Sequence, residues 1–371
     1  MNALFVTHAA AVSSRPGGLQ ICTREYVDTL RAAGLEVTIE IIEHDTRLAA
    51  RARHRLWPAP YPAQWRRAAI PQIVAGAVRT HARFVCLNLV NLAPLASVLR
   101  PRLARDAHIV LLSHGLESVD FLHTIPPDAR SPALDRKLGR RLVEEREQRR
   151  AIDHVFCLAP FEAEIERWLG ARAVTVLPRT VPNRAPLAWT PDPTRVGFVG
   201  TLDHPPTIDG LEQFLGAFEP IAPSTLRVRI VGGPEHAGRA LAGRFRSAEY
   251  LGPLADAGLE REAATWSVFV HPLFCLARGC STKLAVAFAW QLPIVTTPAG
   301  ARGYTWREGA LPMADSPEAF ASLTVALAVP EAASRLRQQV NAIVRSSPSI
   351  ADVGCTIAHA LGIVPSLTDP A

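Results

Sequence analysis

Lysine is almost missing from this chain. Of its 40 lysine and arginine residues only Lys137 and Lys283 are lysines. A guanidinium is a rigid planar fork, whereas an ammonium is a compact charge on a flexible stem, and the two do not substitute freely for one another. In so arginine-rich a chain, a surviving lysine marks a position where a point charge works better than a fork. Lys137 lies in a charge-dense stretch where either would serve, but Lys283 does not. Paired cysteines are missing as well. The six cysteines (Cys22, Cys86, Cys157, Cys275, Cys280 and Cys355) are scattered and include no CxxC pair, which argues against a disulfide framework or a zinc site and fits a reducing cytoplasm. No apolar run reaches eighteen residues, so no spanning helix is expected. The opening MNALFVTHAAAV lacks the basic start of a signal peptide and reads as a first buried strand. Short repeats and low-complexity tracts are absent. The expected location is cytoplasmic.

The composition that is present bounds the rest. The chain has 371 residues, 48% of them hydrophobic and 20% charged, enough for two domains with cores of their own and too apolar for wholesale disorder. A net charge of +6 permits anionic partners without naming one.

Strand and helix patterns alternate along the chain. Leu4–Thr7 is apolar, SSRPGG is a loop, Leu19–Ala33 has the spacing of an amphipathic helix ended by Gly34, and Val37–Ile42 reads as a second strand. Phe84–Asn88, Ile109–Ser113, His154–Leu158 and Val174–Leu177 continue the series. Pro178–Pro193, PRTVPNRAPLAWTPDP, is proline-rich and aperiodic and reads as a linker. The alternation then restarts with strands at Val196–Val199, Leu226–Val231, Ala248–Leu251, Val268–His271 and Pro293–Thr296, and helices at Ile208–Phe218 and Thr282–Trp290. Such alternation implies α/β architecture with parallel sheets covered on both faces. The expected division is 1–178, a linker at 179–194, a second domain at 195–345, and a helical tail at 346–371 able to pack back on the first domain. Two doubly wound domains facing across a cleft would bind ligands beyond the carboxyl ends of their strands.

The segment Arg278-Gly-Cys-Ser-Thr-Lys283 enters the Thr282–Trp290 helix. Small residues and hydroxyls before a helix expose backbone N–H groups, and the helix dipole adds positive potential there, which suits a diphosphate. Lys283 in the first turn adds a mobile ammonium. The alternative is a helix capped by Ser281 or Thr282 with a solvated lysine.

The runs FVGTLDHPPTIDGLEQFLGAFEP, LRVRIVGG, EYLGPLAD, VFVHPL and STKLAVAFAWQLPIVTTPAGARGY, in this order over Arg195–Trp306, resemble the C-terminal half of the retaining GT-B glycosyltransferases of the group 1, family 4-like kind. The resemblance implies a GT-B fold of two Rossmann-like domains and sugar transfer from a nucleotide-diphosphate sugar, with retention and without a metal or other cofactor. It places Gly200-Thr201-Leu202 and Ser281-Thr282-Lys283 around the donor diphosphate, Leu251-Gly252 near the base, and Gly17-Gly18 beneath the phosphates. Many members carry two glutamates eight residues apart around this helix, the second binding the ribose; here those positions fall on Arg278 and Val286. Arg278 then reads either as a second diphosphate cation or as a surface arginine. His114, in Ser113-His114-Gly115-Leu116-Glu117-Ser118-Val119-Asp120, resembles the strand-end histidine that meets the transferred sugar, or else bonds its own loop. Glu117 and Asp120 read as acceptor contacts or else as helix-capping or solvated carboxylates, the latter favoured for Asp120. Catalytic roles fall on His114 and Lys283.

Arg47–Arg67 interleaves Arg47, Arg51, Arg53, Arg55, Arg66 and Arg67 with Trp57, Tyr61 and Trp65. That pattern suits an anionic membrane surface, hence the inner face of the membrane, or a lipid-linked acceptor; a solvated basic face over a local core is the alternative. No nucleic-acid motif accompanies it. Arg136–Arg150 mixes both signs at helical spacing and reads as a solvated, salt-bridged helix. The expected partners are a nucleotide-sugar donor and a glycan or lipid-linked acceptor, in polysaccharide or glycoconjugate synthesis. A GT-B epimerase and a silent binding subunit remain as alternatives.

Overall fold

The computed structural model describes residues 1–13, 17–43, 45, 48, 65–66, 68–123, 125 and 131–363. They divide into two compact units, Met1–Pro178 with Arg278–Cys280 and Ser349–Ala371, and Arg179–Ala277 with Ser281–Pro348.

The first unit is built on six strands: β1 (Asn2–His8), β2 (Glu36–Ile42), β3 (Phe84–Asn88), β4 (His108–Leu112), β5 (His154–Cys157) and β6 (Val174–Val176). All pair in parallel, in the order β2-β1-β3-β4-β5-β6. The inner strands are apolar at nearly every position because both faces are covered, the signature of a parallel sheet. Successive side chains point to opposite faces. Leu4, Val6, Val85, Leu87, Ile109 and Leu111 therefore join one cluster, while Ala3, Phe5, Phe84, Cys86, Val110 and Leu112 join the other. The Gly18–Ala32 helix buries Cys22, Tyr26, Val27 and Leu30 in the second cluster. The Ile350–Ala360 helix, begun by a capping box of Ser349 and Asp352, adds Val353 and Ile357 to the same cluster.

The charge-dense stretch after Arg136 is more than a solvated face. The Pro132–Arg149 helix, capped by Ser131, ends on Glu145, Gln148 and Arg149, all buried. Arg149 donates from Nε and Nη2 to both oxygens of the equally buried Glu166, at 2.5 and 2.8 Å. Glu145 receives the Ser118 backbone N–H and hydroxyl. The helical spacing was legible, but the partners that bury its last turn lie on other elements.

The second unit carries five parallel strands, β7 (Asp192–Val199), β8 (Arg227–Val231), β9 (Ala248–Gly252), β10 (Trp266–His271) and β11 (Ile294–Thr296), in the order β11-β10-β7-β8-β9. Val196, Phe198, Val228, Ile230, Val268 and Val270 fill one face; Trp266, Phe269, Ile294 and Val231 belong to the other. The proline-rich stretch before β7 does not stand apart. Leu187 and Thr190 donate backbone N–H groups to Trp290 and Ala264, Trp189 donates its indole N–H to Trp266, and Arg337 donates to the Leu187 carbonyl. Tertiary hydrogen bonds replace the periodicity the stretch lacks. The helical tail is three helices, Pro317–Leu327, Pro330–Ser346 and Ile350–Ala360, the last counted with the first unit.

Among the described residues no helix is long and apolar enough to cross a membrane. Most of the Arg47–Arg67 stretch, including Arg47, Arg51, Arg53, Arg55, Trp57, Tyr61 and Arg67, lies outside the described residues. Of its two described members, Trp65 is buried in the first unit's core and Arg66 pairs with Glu43. Trp65 is thus a core residue, not an interfacial aromatic.

Candidate functional site

In a doubly wound sheet the chain leaves neighbouring strands toward opposite sides at the switch point, which opens a crevice at their carboxyl ends. In the second unit that point lies between β7 and β10, and β7 runs directly into Gly200-Thr201-Leu202. This turn is held by Gly200 N–H to Val231 and Leu202 N–H to Gly233, at 3.0 and 2.6 Å. Two helices begin beside it. Pro205–Phe218 starts after His204, and Thr282–Ala289 starts after Ser281; neither first residue caps its helix with a side chain. The Ser281 side chain therefore does not satisfy the first amides of the Thr282–Ala289 helix, contrary to the capped-helix alternative, and those donors are the kind that bind anions.

Lys283 joins the two helix starts. Its Nζ donates to Thr207 Oγ1 at 3.0 Å, and a Cβ on residue 200 would stand only 3.1 Å from that nitrogen. The same Cβ would stand 2.9 Å from the Phe198 ring, so glycine at 200 eases a crowded turn. Burial pulls the Lys283 pKa down to about 8, because a partly buried ammonium loses hydration that one hydroxyl does not replace. His271 at the end of β10 is buried, with Nδ1 3.1 Å from Thr296 Oγ1. Burial first, then the Lys283 and Arg302 charges, push its pKa to about 3, so the ring is neutral near pH 7.

Leu251 and Gly252 end β9 and border a groove of about 460 Å³, lined also by Tyr250, Glu235 and Arg239. Gly252 accepts the Gly232 N–H at 3.1 Å, and Gly232 in turn lies against the Gly200 carbonyl. The structure thus brings Gly200, Thr201, Thr282 and Lys283 together, with Leu251 and Gly252 alongside. Thr207 and His271 are additions that sequence reasoning missed. The string HPPT carried Thr207 in plain view, but nothing in it marks a hydroxyl facing a lysine 76 residues away.

In the first unit the switch point lies between β1 and β3. Gly17 is the residue before the Gly18–Ala32 helix, again without a side-chain cap. His114 follows β4. Its Nε2 lies 2.8 Å from Asn88 Oδ1 at the end of β3, and its ring stands 5.3 Å from that of Tyr26.

Arg278 is counted apart from Lys283. With Gly279 and Cys280 it belongs to the first unit, where its guanidinium pairs with Glu117 and, at 2.8 Å, with Asp120. Its backbone N–H also donates to Asp120 at 2.9 Å. The guanidinium expected to be a diphosphate cation or a solvated arginine is held by two carboxylates, and Glu117 and Asp120 are held in return. Charge-assisted hydrogen bonds of this kind are shorter and stronger than neutral ones. The approach is close: Gly115 and Gly279 both have positive φ, and a Cβ on Gly115 would collide with the Arg278 side chain and the Gly279 backbone. Gly279 N–H donates to Glu162 at 2.6 Å. Val286 is partly buried against the second unit's apolar cluster.

Residues 193–328 match the family model described as glycosyl transferases group 1. No curated protein matches the sequence. Among solved structures, a sucrose-phosphate synthase from Thermosynechococcus elongatus is 17% identical with a TM-score of 0.67, over 97% of this chain and 98% of that one. The lipopolysaccharide outer core galactosyltransferase WaaB is 13% identical (TM-score 0.62, covering 98% of this chain and 100% of that one). Anabaena HepE, solved in complex with UDP and glucose, is 14% identical (TM-score 0.60, with the same coverage). The fold is GT-B, two Rossmann-like α/β units with parallel sheets.

Proposed function

We propose that this protein is a glycosyltransferase that takes its sugar from a nucleotide-diphosphate donor held on the second unit. One observation carries the reading: Lys283 meets Thr207 and Gly200 where two helices start at the switch point of the sheet. An ammonium, exposed helix N-termini and a glycine turn form an anion site of diphosphate size. The match of residues 193–328 to a glycosyltransferase family and the GT-B neighbours support sugar transfer. The neighbour holding UDP and glucose supports this class of donor.

In the proposed reaction the bond between the sugar's anomeric carbon and the diphosphate oxygen breaks, and a bond from that carbon to an acceptor hydroxyl oxygen forms. The hydroxyl proton leaves with the diphosphate. Lys283 and the amides of the Thr282–Ala289 helix stabilise the charge that develops on the leaving group. That assistance is electrostatic and preorganised, so the proposal includes no metal and no further cofactor. Retention of configuration, a glycan or lipid-linked acceptor and a contact of His114 with the sugar complete the proposal. Assays of released nucleoside diphosphate with UDP-, GDP- and dTDP-sugars test it. Turnover with one base and not with Lys283→Ala is the expected result; absence of binding by all three nucleoside diphosphates would remove the reading.

A second reading is a subunit that binds the donor without transferring it. It is favoured by the occupants of the two positions where relatives carry glutamates. Arg278 is engaged by Glu117 and Asp120, and Val286 packs against apolar neighbours. Binding of a nucleotide sugar with no transfer to any acceptor and no hydrolysis would select it.

A further inference from the structure

Ser281 opens the Thr282–Ala289 helix differently from the chain's other serine and threonine helix starts. Four other helices among the described residues begin after such a residue: Ser131, Thr297, Ser316 and Ser349. Their ψ angles are 148°, 162°, 150° and 167°, and in each the side-chain oxygen accepts the backbone N–H three residues on. Ser281 lies below all four at ψ 116° and caps nothing. That angle sets where a side chain stands relative to the helix that follows it, and at 116° the hydroxyl does not take up the Leu284 N–H. The other helix that starts at this site, after His204, does so at ψ 113° and also has no side-chain cap. The Ser281 carbonyl is tied down. Tyr304 donates its hydroxyl to that oxygen at 2.5 Å, and a carbonyl only accepts, so the direction of the bond is fixed. The Tyr304 ring is buried and packs on Phe288 of the same helix with centroids 5.6 Å apart, and Trp306 stands edge-on to Phe288. Tyr304 N–H donates to the Ala301 carbonyl at 3.1 Å, and the Gly303 carbonyl accepts from Arg179 at 2.7 Å. A phenol held in this way presents its hydroxyl at one point.

We propose that Tyr304 is a positioning residue of the diphosphate site: by holding the Ser281 carbonyl it denies Ser281 the capping conformation and leaves the first amides of the Thr282–Ala289 helix open to a phosphate oxygen. The peptide unit is planar and its C=O and N–H point opposite ways. An anchored Ser281 carbonyl therefore fixes both the ψ of Ser281 and the direction of the Thr282 N–H. A capped helix start satisfies its own donors, whereas an anion site needs them unsatisfied. Serine is a preferred capping residue, so without the anchor its hydroxyl competes with the ligand for the Leu284 N–H. The ligand part rests on the proposed function, in which that anion is the donor diphosphate; the capping part does not.

The experiment compares wild type, Tyr304→Phe, Ser281→Ala and the double variant as full chains. Tyr304→Phe keeps the ring and its packing and removes only the hydroxyl. Amide hydrogen exchange comes first, without ligand. In Tyr304→Phe the Ser281 hydroxyl should take up the Leu284 N–H, and exchange at Leu284 should slow relative to wild type. Denaturant unfolding reads the same change: Ser281→Ala should lower the midpoint more in the Tyr304→Phe background than in wild type, as loss of a cap does. Equal exchange at Leu284 in the two proteins, or an equal effect of Ser281→Ala in both backgrounds, would overturn the assignment. Calorimetry with UDP, GDP and dTDP tests the ligand part. Tyr304→Phe should bind the diphosphate about five- to tenfold more weakly, the strength of one cap competing for the same amide, and should bind its nucleoside as wild type does. With Ser281→Ala already in place no side-chain oxygen is left to cap the helix, and the same Tyr304→Phe change should lose little. An unchanged affinity in Tyr304→Phe, or a loss as large with Ser281→Ala as without it, would overturn the ligand part. If no nucleoside diphosphate binds wild type, the proposed function fails while the capping assignment stands or falls on exchange and unfolding.

Discussion

Lys283 illustrates how binding and stability pull one residue in opposite directions. Burial lowers its pKa from 10.5 to about 8, so folding disfavours the charged form. At ~1.4 kcal/mol per pKa unit the cost is a few kcal/mol, in full below about pH 8. Between about 8 and 10.5 the unfolded chain binds more protons than the folded one, and wild-type stability rises with pH as the penalty is relieved. Lys283→Met removes the charge and keeps the length. It should therefore be more stable than wild type at neutral pH, and that advantage should shrink between about pH 8 and 10.5. Denaturant unfolding of both proteins across that range measures it; an unchanged difference would mean that the ammonium is well solvated. A residue that costs stability where an anion would repay it is the pattern expected of a functional site.

At the scale of elements, the sequence was most legible where local physics is sufficient. The inner strands read as apolar runs because both faces are covered, and Phe84–Asn88 was bounded correctly from the run alone. The Thr282–Ala289 helix and its lysine were visible for a similar reason: small residues, hydroxyls and one rare cation lie next to each other in the chain. What was not legible needs partners far apart. Thr207 faces Lys283 and Asn88 faces His114 across 76 and 26 residues, and no spacing rule reaches that far. The Pro132–Arg149 helix carried the same lesson, its mixed charges concealing a buried pair. Arg149→Ala would leave the Glu166 carboxylate buried and unpaired, with a cost of about 3–5 kcal/mol, read as a lower denaturant midpoint. A change under about 1 kcal/mol would mean that water reaches the pair, as it does at exposed salt bridges.

At the scale of the whole molecule, two units with separate cores each complete a doubly wound sheet, and the chain's end serves its beginning. The Ile350–Ala360 helix packs on Gly18–Ala32, where a Cβ on Gly354 would stand 2.7 Å from Ala32. Deleting Ser349–Ala371 uncovers that face of the first unit only. Hydrogen exchange should then accelerate through Gly18–Ala32 and β1 and remain unchanged in β7 and β10; acceleration in both units would mean that the two cores are not independent. In the second unit, Lys283, Thr207, Gly200 and two helix starts make up the proposed diphosphate site. Titration calorimetry of UDP, GDP and dTDP against wild type and Lys283→Ala at pH 7 tests it most directly. One of the three should bind wild type and lose about tenfold to a hundredfold in affinity in the variant, as expected for a hydrogen bond to a charged group, while its nucleoside binds both equally. Equal diphosphate affinity in the two proteins would contradict the account.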